Sequence, residues 1–238
     1  MNRSDTSSAS NSVPQSLAPT MHPTSFRVLV ALVLIVPAAV MAGDNDALVA
    51  DLGHDWAIVN YRLSGIAQTT AFEMLVEWAD GAVNRHPDSA DLLIWDGIIK
   101  SSFADASGGG SLSLAREAKA SLEAAMAVDD TAMHGSAYAS LGSLYLKVPG
   151  WPLGFGSDKK AVQLLEKALE IDPDGMDSNY FYADYLMHRR EYGEAERYLL
   201  KAQSAAPRPG RPIADEGRRK EILAALSVAR EKLQHPGS

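Results

Sequence analysis

Six histidines are the side chains in this sequence best suited to moving protons or holding a metal near neutral pH. His54, His86, His134 and His188 are scattered, and none stands three or four residues from another histidine, the spacing that puts two ligands on one helical face. His-Glu-x-x-His, Gly-x-Ser-x-Gly, a phosphate loop and a dinucleotide fingerprint are all missing. Gly108-Gly109-Gly110 is not followed by Lys-Ser/Thr and reads as a flexible link. There is no cysteine, which excludes disulfides, thiolate catalysis, cysteine-held zinc and a lipid-bearing N-terminal cysteine. Nothing points to a metal or a cofactor, so the expectation is a protein that is not an enzyme.

Two other groups could serve recognition. Trp151 and Phe155 lie in Val148-Pro149-Gly150-Trp151-Pro152-Leu153-Gly154-Phe155-Gly156, where prolines and glycines exclude helix and strand. Apolar aromatics on a loop either fold back as a plug or anchor a ligand; the plug is favoured, with anchoring kept open. Lys159 and Lys160 follow at a helix start, where cations oppose the helix dipole, but a solvated surface explains them more simply. Tyr180, Tyr182 and Tyr185 could present hydroxyls, though such residues more often bury their rings and wet only their tips. The formal net charge of −8, with no basic stripe, argues against a nucleic-acid partner.

The elements that must position these residues are helical. Ala161, Ala168 and Pro173 recur thirty-four residues later as Ala195, Ala202 and Pro207. A period near 34 marks stacked helix-turn-helix units, with small residues where partner helices nest and proline where the second helix stops. Leu141, Gly142 and Tyr145 supply the Leu-Gly-x-x-Tyr pattern of a first helix. The segment resembles tetratricopeptide (TPR) repeats, clearly over 133–207 and less regularly over 51–130. The first pair is read from Trp56, Val59, Leu63 and Ile66 followed by Phe72, Leu75, Trp78, Ala79 and Ala82. The second opens near Ala90, with Gly97 at a small-residue position and Ala118, Leu122 and Ala125 on its second helix. The third opens near Gly135 and carries the inserted loop, after which Asp158 is expected to cap the next helix. The fourth runs from about Met176 to Ala205. Beyond the stiff Pro207-Arg208-Pro209-Gly210-Arg211-Pro212 connector, Ile222, Leu226, Ala229 and Leu233 make a one-sided stripe that covers the last repeat. The expected fold is all-α: a short solenoid of about four antiparallel helix pairs with a C-terminal capping helix. Its divisions are 1–42 (polar stretch and leader), 43–213 (repeats) and 214–238 (cap and tail).

The TPR resemblance implies that the first helix of each pair lines a concave groove. Its expected positions are Asp177, Tyr180, Asp184, Met187 and His188 in the fourth unit, and Ser136, Ala139, Ser143, Leu146 and Lys147 in the third. The second unit adds Asp91, Ile94, Ile98 and Ser101. Mostly apolar positions with a few charges suit a peptide or a partner helix. The alternative is that Ile94, Ile98 and Leu146 simply pack inside the array.

Arg27 precedes an apolar run from Val28 to Val40, and Val40-Met41-Ala42 offers small or apolar residues before Gly43. This describes a secretory signal peptide cleaved after Ala42, which places the protein in the periplasm. Met21 is an alternative start, and a retained anchor over 26–42 is the competing reading, in which case the chain contacts a membrane. The inserted loop, the lysine-bearing helix start and Asn179-Tyr180-Phe181-Tyr182 are also similar to the TatT-like periplasmic proteins associated with TRAP-type transporters. That resemblance implies an accessory role in solute uptake, with a solute-binding protein or a small molecule as partner. This chain lacks the lipid-bearing cysteine of those proteins. The principal expectation is an exported, non-catalytic scaffold that holds a protein or peptide partner.

Overall fold

A computed structural model describes residues 38–108 and 111–235, and the described residues form nine α-helices and no strand. Most of the expected leader lies outside the described residues, as do Gly109 and Gly110. The helices are α1 (Ala38–Arg62), α2 (Gly65–Arg85), α3 (Ala90–Ala106), α4 (Leu112–Val128), α5 (Ala132–Lys147), α6 (Asp158–Ile171), α7 (Met176–His188), α8 (Tyr192–Ser204) and α9 (Pro212–Gln234). Helix begins well before Asp51, and Val40-Met41-Ala42 falls inside α1. No described helix is long and apolar enough to cross a membrane.

Successive helices pair as α1/α2, α3/α4, α5/α6 and α7/α8, and the first helices α1, α3, α5 and α7 stack in that order. This is the all-α solenoid that the thirty-four-residue recurrence predicts. Its nesting contact can be followed atom by atom. Ala118, Leu122 and Ala125 on α4, Ala161, Leu165 and Ala168 on α6, and Ala195, Leu199 and Ala202 on α8 are all fully buried. Each triplet occupies one helical face at i, i+4 and i+7. Opposite the middle leucine the first helix carries almost no side chain. A β-carbon at Gly97 would lie 2.6 Å from Leu122, and one at Gly142 would lie 2.7 Å from Leu165. Removing the β-carbon lets the backbones approach, and the leucine fills the gap.

Local sequence sets most helix boundaries. Ser89, Ser111 and Ser157 each accept a hydrogen bond from the backbone N–H three residues on, and so cap α3, α4 and α6. Ser157 therefore takes the capping role expected of Asp158, which is the first helical residue instead. Ile66 does not continue the first helix: it stands in the first turn of α2 and is 86% exposed. Met133, His134 and Gly135 all adopt left-handed φ, so regular helix in α5 starts only at Ser136. Two of these three carry a β-carbon, which makes the turn locally costly.

The largest departure from expectation is α9. Ile222, Leu226 and Ala229 of its expected stripe are buried against the last repeat, whereas Leu233, expected to continue it, is 45% exposed. Yet α9 also reaches α1, where Gly217 sits against the Tyr61 ring and Arg62 forms a bidentate ion pair with Glu216. The final helix covers the end of the array and also joins its two ends across the concave side.

Candidate functional site

The inner face of α1, α3, α5, α7 and α9 lines a half-open cavity of about 150 Å³. Its wall is mixed. Trp56, Tyr61, Ile98 and Phe181 are apolar or aromatic; Ser101, Ser102, Ser136, Ser140 and Ser143 offer hydroxyls; Lys147, Arg211 and Arg218 are cationic; and Asp105, Asp177 and Glu221 are anionic. Ser136, Ser140 and Ser143 share one face of α5 because they are four and three residues apart, while the adjacent Ser101 and Ser102 come from α3.

An arginine and carboxylate network built across three elements fixes one side. Asp177 on α7 receives the Arg218 Nε donor at 2.8 Å and is also bonded by Arg208 Nη1. Arg208 in turn donates through Nε to Asp215 at 2.6 Å, and Arg218 Nη1 donates to Glu221 at 2.5 Å. Burial alone would raise the Asp177 carboxyl, but the Arg218, Arg208 and Arg211 guanidiniums outweigh it and hold the group well below the usual carboxylate range. Arg218 also lies 4.4 Å from the Tyr180 ring centre and 4.7 Å from that of Phe181, a stacked cation on two faces. Burial pushes the Tyr180 phenol up to about 12, so it stays a neutral hydroxyl.

Trp56 and Tyr61 add aromatic rings to the wall, with Trp95 packed behind them. Trp95 and Trp56 centroids are 5.6 Å apart, and Trp56 meets Tyr61 edge-on at 5.6 Å. Trp56 Nε1 donates to Ser102 Oγ at 2.9 Å, and the Tyr61 hydroxyl donates to Glu221 at 3.4 Å. Arg211 lies over the Trp95 ring at 5.0 Å.

The expected groove residues therefore separate. Ser143, Lys147 and Asp177 all line the 150 Å³ cavity. Tyr180 and Met187 pack against the core formed by α7, α8 and α9, so that α9 occupies the surface a peptide would use there. Asp184 is half-buried beside them, and burial, only partly offset by Lys147, Arg218 and His188, pushes its carboxyl up. His188 is exposed, 3.8 Å from Asp158. Lys147 pairs with Asp105 at 2.7 Å. Ile94 is fully buried and Leu146 packs against the same core, which is the internal-packing alternative.

The loop aromatics also part company. Phe155 folds back edge-on against Tyr145, with centroids 5.4 Å apart, and acts as the plug. Trp151 does not: it is 89% exposed, and neighbouring Leu153 is 74% exposed. The backbone beneath them is closely pinned. Gly156 N–H donates to Pro149 O at 2.9 Å, Ser157 N–H to Tyr145 O at 3.0 Å, and Gly150 bridges Gly156. Phe155 is partly buried against the core that holds Tyr145, Leu144 and Ala161. A smaller apolar cleft of about 110 Å³ lies where Val148 and Pro149 meet α3 and α4.

Sequence reasoning missed Arg208, Arg211 and Arg218, which read as a connector and a charged outer face. It also missed the buried ion pair of Lys100 with Asp96, 2.8 Å, and Asp80, 2.7 Å. The i, i+4 spacing of Asp96 and Lys100 was the available signal. Among the described residues no group of three or more histidines and carboxylates is placed to hold a metal.

Fold and wall together define a TPR-like helical-repeat protein whose concave side is closed by its own last helix. No family model matches the chain, and no curated protein matches it. Among solved structures it is similar in fold to the crystal structure of MamA protein, with a TM-score of 0.42 and 17% identity over 82% of this chain and 98% of that chain.

Proposed function

We propose that this chain is a non-catalytic scaffold that holds a protein partner, with the Trp151 loop as its point of attachment. One observation carries the reading: Trp151 and Leu153 present two large apolar side chains to solvent on a loop whose backbone is tied down on both sides. Exposing a tryptophan costs roughly 2 kcal/mol of burial that folding could otherwise have gained. A rigid aromatic on a pinned loop loses little entropy on binding, which is the property of an interface anchor. The helical-repeat architecture supports a binding role, because stacked pairs present extended surfaces.

The partner proposed is a protein with an apolar pocket sized for an indole. The open peptide groove expected along α7 is the weaker location, since Arg208 of the connector and Arg218 of α9 already meet Asp177, and Arg218 covers the Tyr180 ring. The leader-like N-terminus supports export with cleavage after Ala42, and N-terminal sequencing of the protein from cells tests it. The transporter-accessory role rests on sequence resemblance alone and stands second.

Photo-cross-linking from position 151 in living cells tests the main proposal. A single defined protein adduct, lost when Leu153 is changed to Ser, is expected. A smear of abundant proteins, or an adduct indifferent to Leu153, would sink it.

A further inference from the structure

The half-open cavity between the first helices and α9 holds one cation whose hydrogen-bonding capacity is unspent. Every carboxylate near it is already committed. Asp177 takes Arg208 and Arg218, Asp215 takes the side chain and backbone N–H of Arg208, and Glu221 takes Arg218 and Tyr61. Arg211 lines the same cavity, yet among the described residues it has no hydrogen-bonded acceptor, and its Nε is buried without a partner. It is held by stacking over Trp95 instead. Stacking fixes the plane of a guanidinium and leaves its edge free to donate.

A second group points the same way from α5. Ser143 is only 7% exposed and lines the cavity, and its hydroxyl has no partner among the described residues. That hydroxyl is reachable from the cavity, where a ligand oxygen can replace water as its partner. Burial and the neighbouring Arg208 and Arg218 both work against the charge on Arg211, although the Asp177 and Asp215 carboxylates partly offset them; an arriving anion would relieve the strain. Arg211 and Asp177 also line an adjoining cavity of about 350 Å³ under Pro209, which gives the site a second face.

We propose that this cavity is a binding site for a small oxyanion-bearing molecule, a carboxylate or a phosphate, gripped by the Arg211 edge and completed by the Ser143 hydroxyl. A cavity near 150 Å³ matches about six non-hydrogen atoms, on the scale of benzene. Lactate and inorganic phosphate both fall in that range. The alternating serines and the Lys147–Asp105 pair then supply donors and acceptors for the remainder of the ligand. This inference does not depend on the Trp151 proposal, because none of that loop's aromatic side chains lines the cavity.

The test is titration of the full chain, separately with lactate, with inorganic phosphate and with lactamide, each to about 10 mM, following the Arg211 Nε–H resonance and heat of binding. Saturable binding of lactate alone assigns a carboxylate site, and of phosphate alone a phosphate site; neutral lactamide should not bind. Arg211→Lys keeps the charge over Trp95 but loses the fork, and should weaken binding by about tenfold with little change in melting. Ser143→Ala should weaken it a few-fold. If neither anion shifts the Arg211 signal, if lactamide binds as well as lactate, or if Arg211→Lys binds unchanged, the proposal is wrong.

Discussion

Gly142 on α5 faces Leu165 on α6 so closely that a β-carbon on the glycine would stand 2.7 Å from Leu165 Cγ and 3.2 Å from the Ala161 carbonyl. Gly97 meets Leu122 and the Ala118 carbonyl in the same way one unit earlier, at 2.6 and 3.1 Å. The two contacts are copies of one nesting rule, and they set how closely each pair closes.

Gly142→Ala is therefore expected to destabilise the protein by about 1–3 kcal/mol, as overpacking of a dense core does. Gly193→Ala is the control, because nothing lies within 4 Å of a β-carbon there. In that helix the alanine should be neutral or stabilise by about 0.5 kcal/mol. Urea denaturation of both variants checks the contrast; equal effects would refute the nesting argument.

Asp177→Asn should cost about 3 kcal/mol, because it leaves Arg208 and Arg218 facing each other without their shared carboxylate. The folded carboxyl is held below its ordinary value. Its stabilising effect is thus complete above the unfolded-state value of about 3.9 and is lost as the pH falls from there toward the folded value. Melting temperature against pH should drop more steeply below about pH 4 for the parent than for Asp177→Asn. Parallel curves would show that the carboxylate is not the titrating group.

Gly217→Val should detach α9 from α1, since a β-carbon at Gly217 would lie 2.4 Å from the Tyr61 ring. Amide hydrogen exchange should then speed up in the first half of α9 and the last turns of α1, while α3 to α6 keep their protection. Unchanged exchange in α1 would mean that the two ends are not coupled.

Trp151→Ala should leave stability within about 0.5 kcal/mol of the parent, as for an exposed side chain without structural partners. Phe155→Ala should cost more, about 1–2 kcal/mol, through its lost contact with Tyr145, yet less than a fully buried phenylalanine. Thermal melts of the two variants decide this, and a larger loss from Trp151→Ala would reverse the assignment of plug and anchor.

The helix pairs were legible because the property that makes them is local. Ala161, Leu165 and Ala168 share a face through backbone periodicity alone, and the same triplet at 195, 199 and 202 repeats it without reference to the rest of the chain. Although the α6 cap fell one residue from the expected Asp158, loop insertion and most of the terminal apolar stripe follow from residue types a few positions apart. The cavity wall does not. Asp177 and Arg218 are 41 residues apart, and Tyr61 and Glu221 are 160 apart, so no window along the chain contains both partners. Only the return of α9 to α1 turns an outer-looking charged helix into an inner wall, strands Arg211 beside Trp95, and narrows an open groove into a half-open pocket. Which of Trp151 and Phe155 packs inward was likewise decided in three dimensions, by the contact of Phe155 with Tyr145 on a different element.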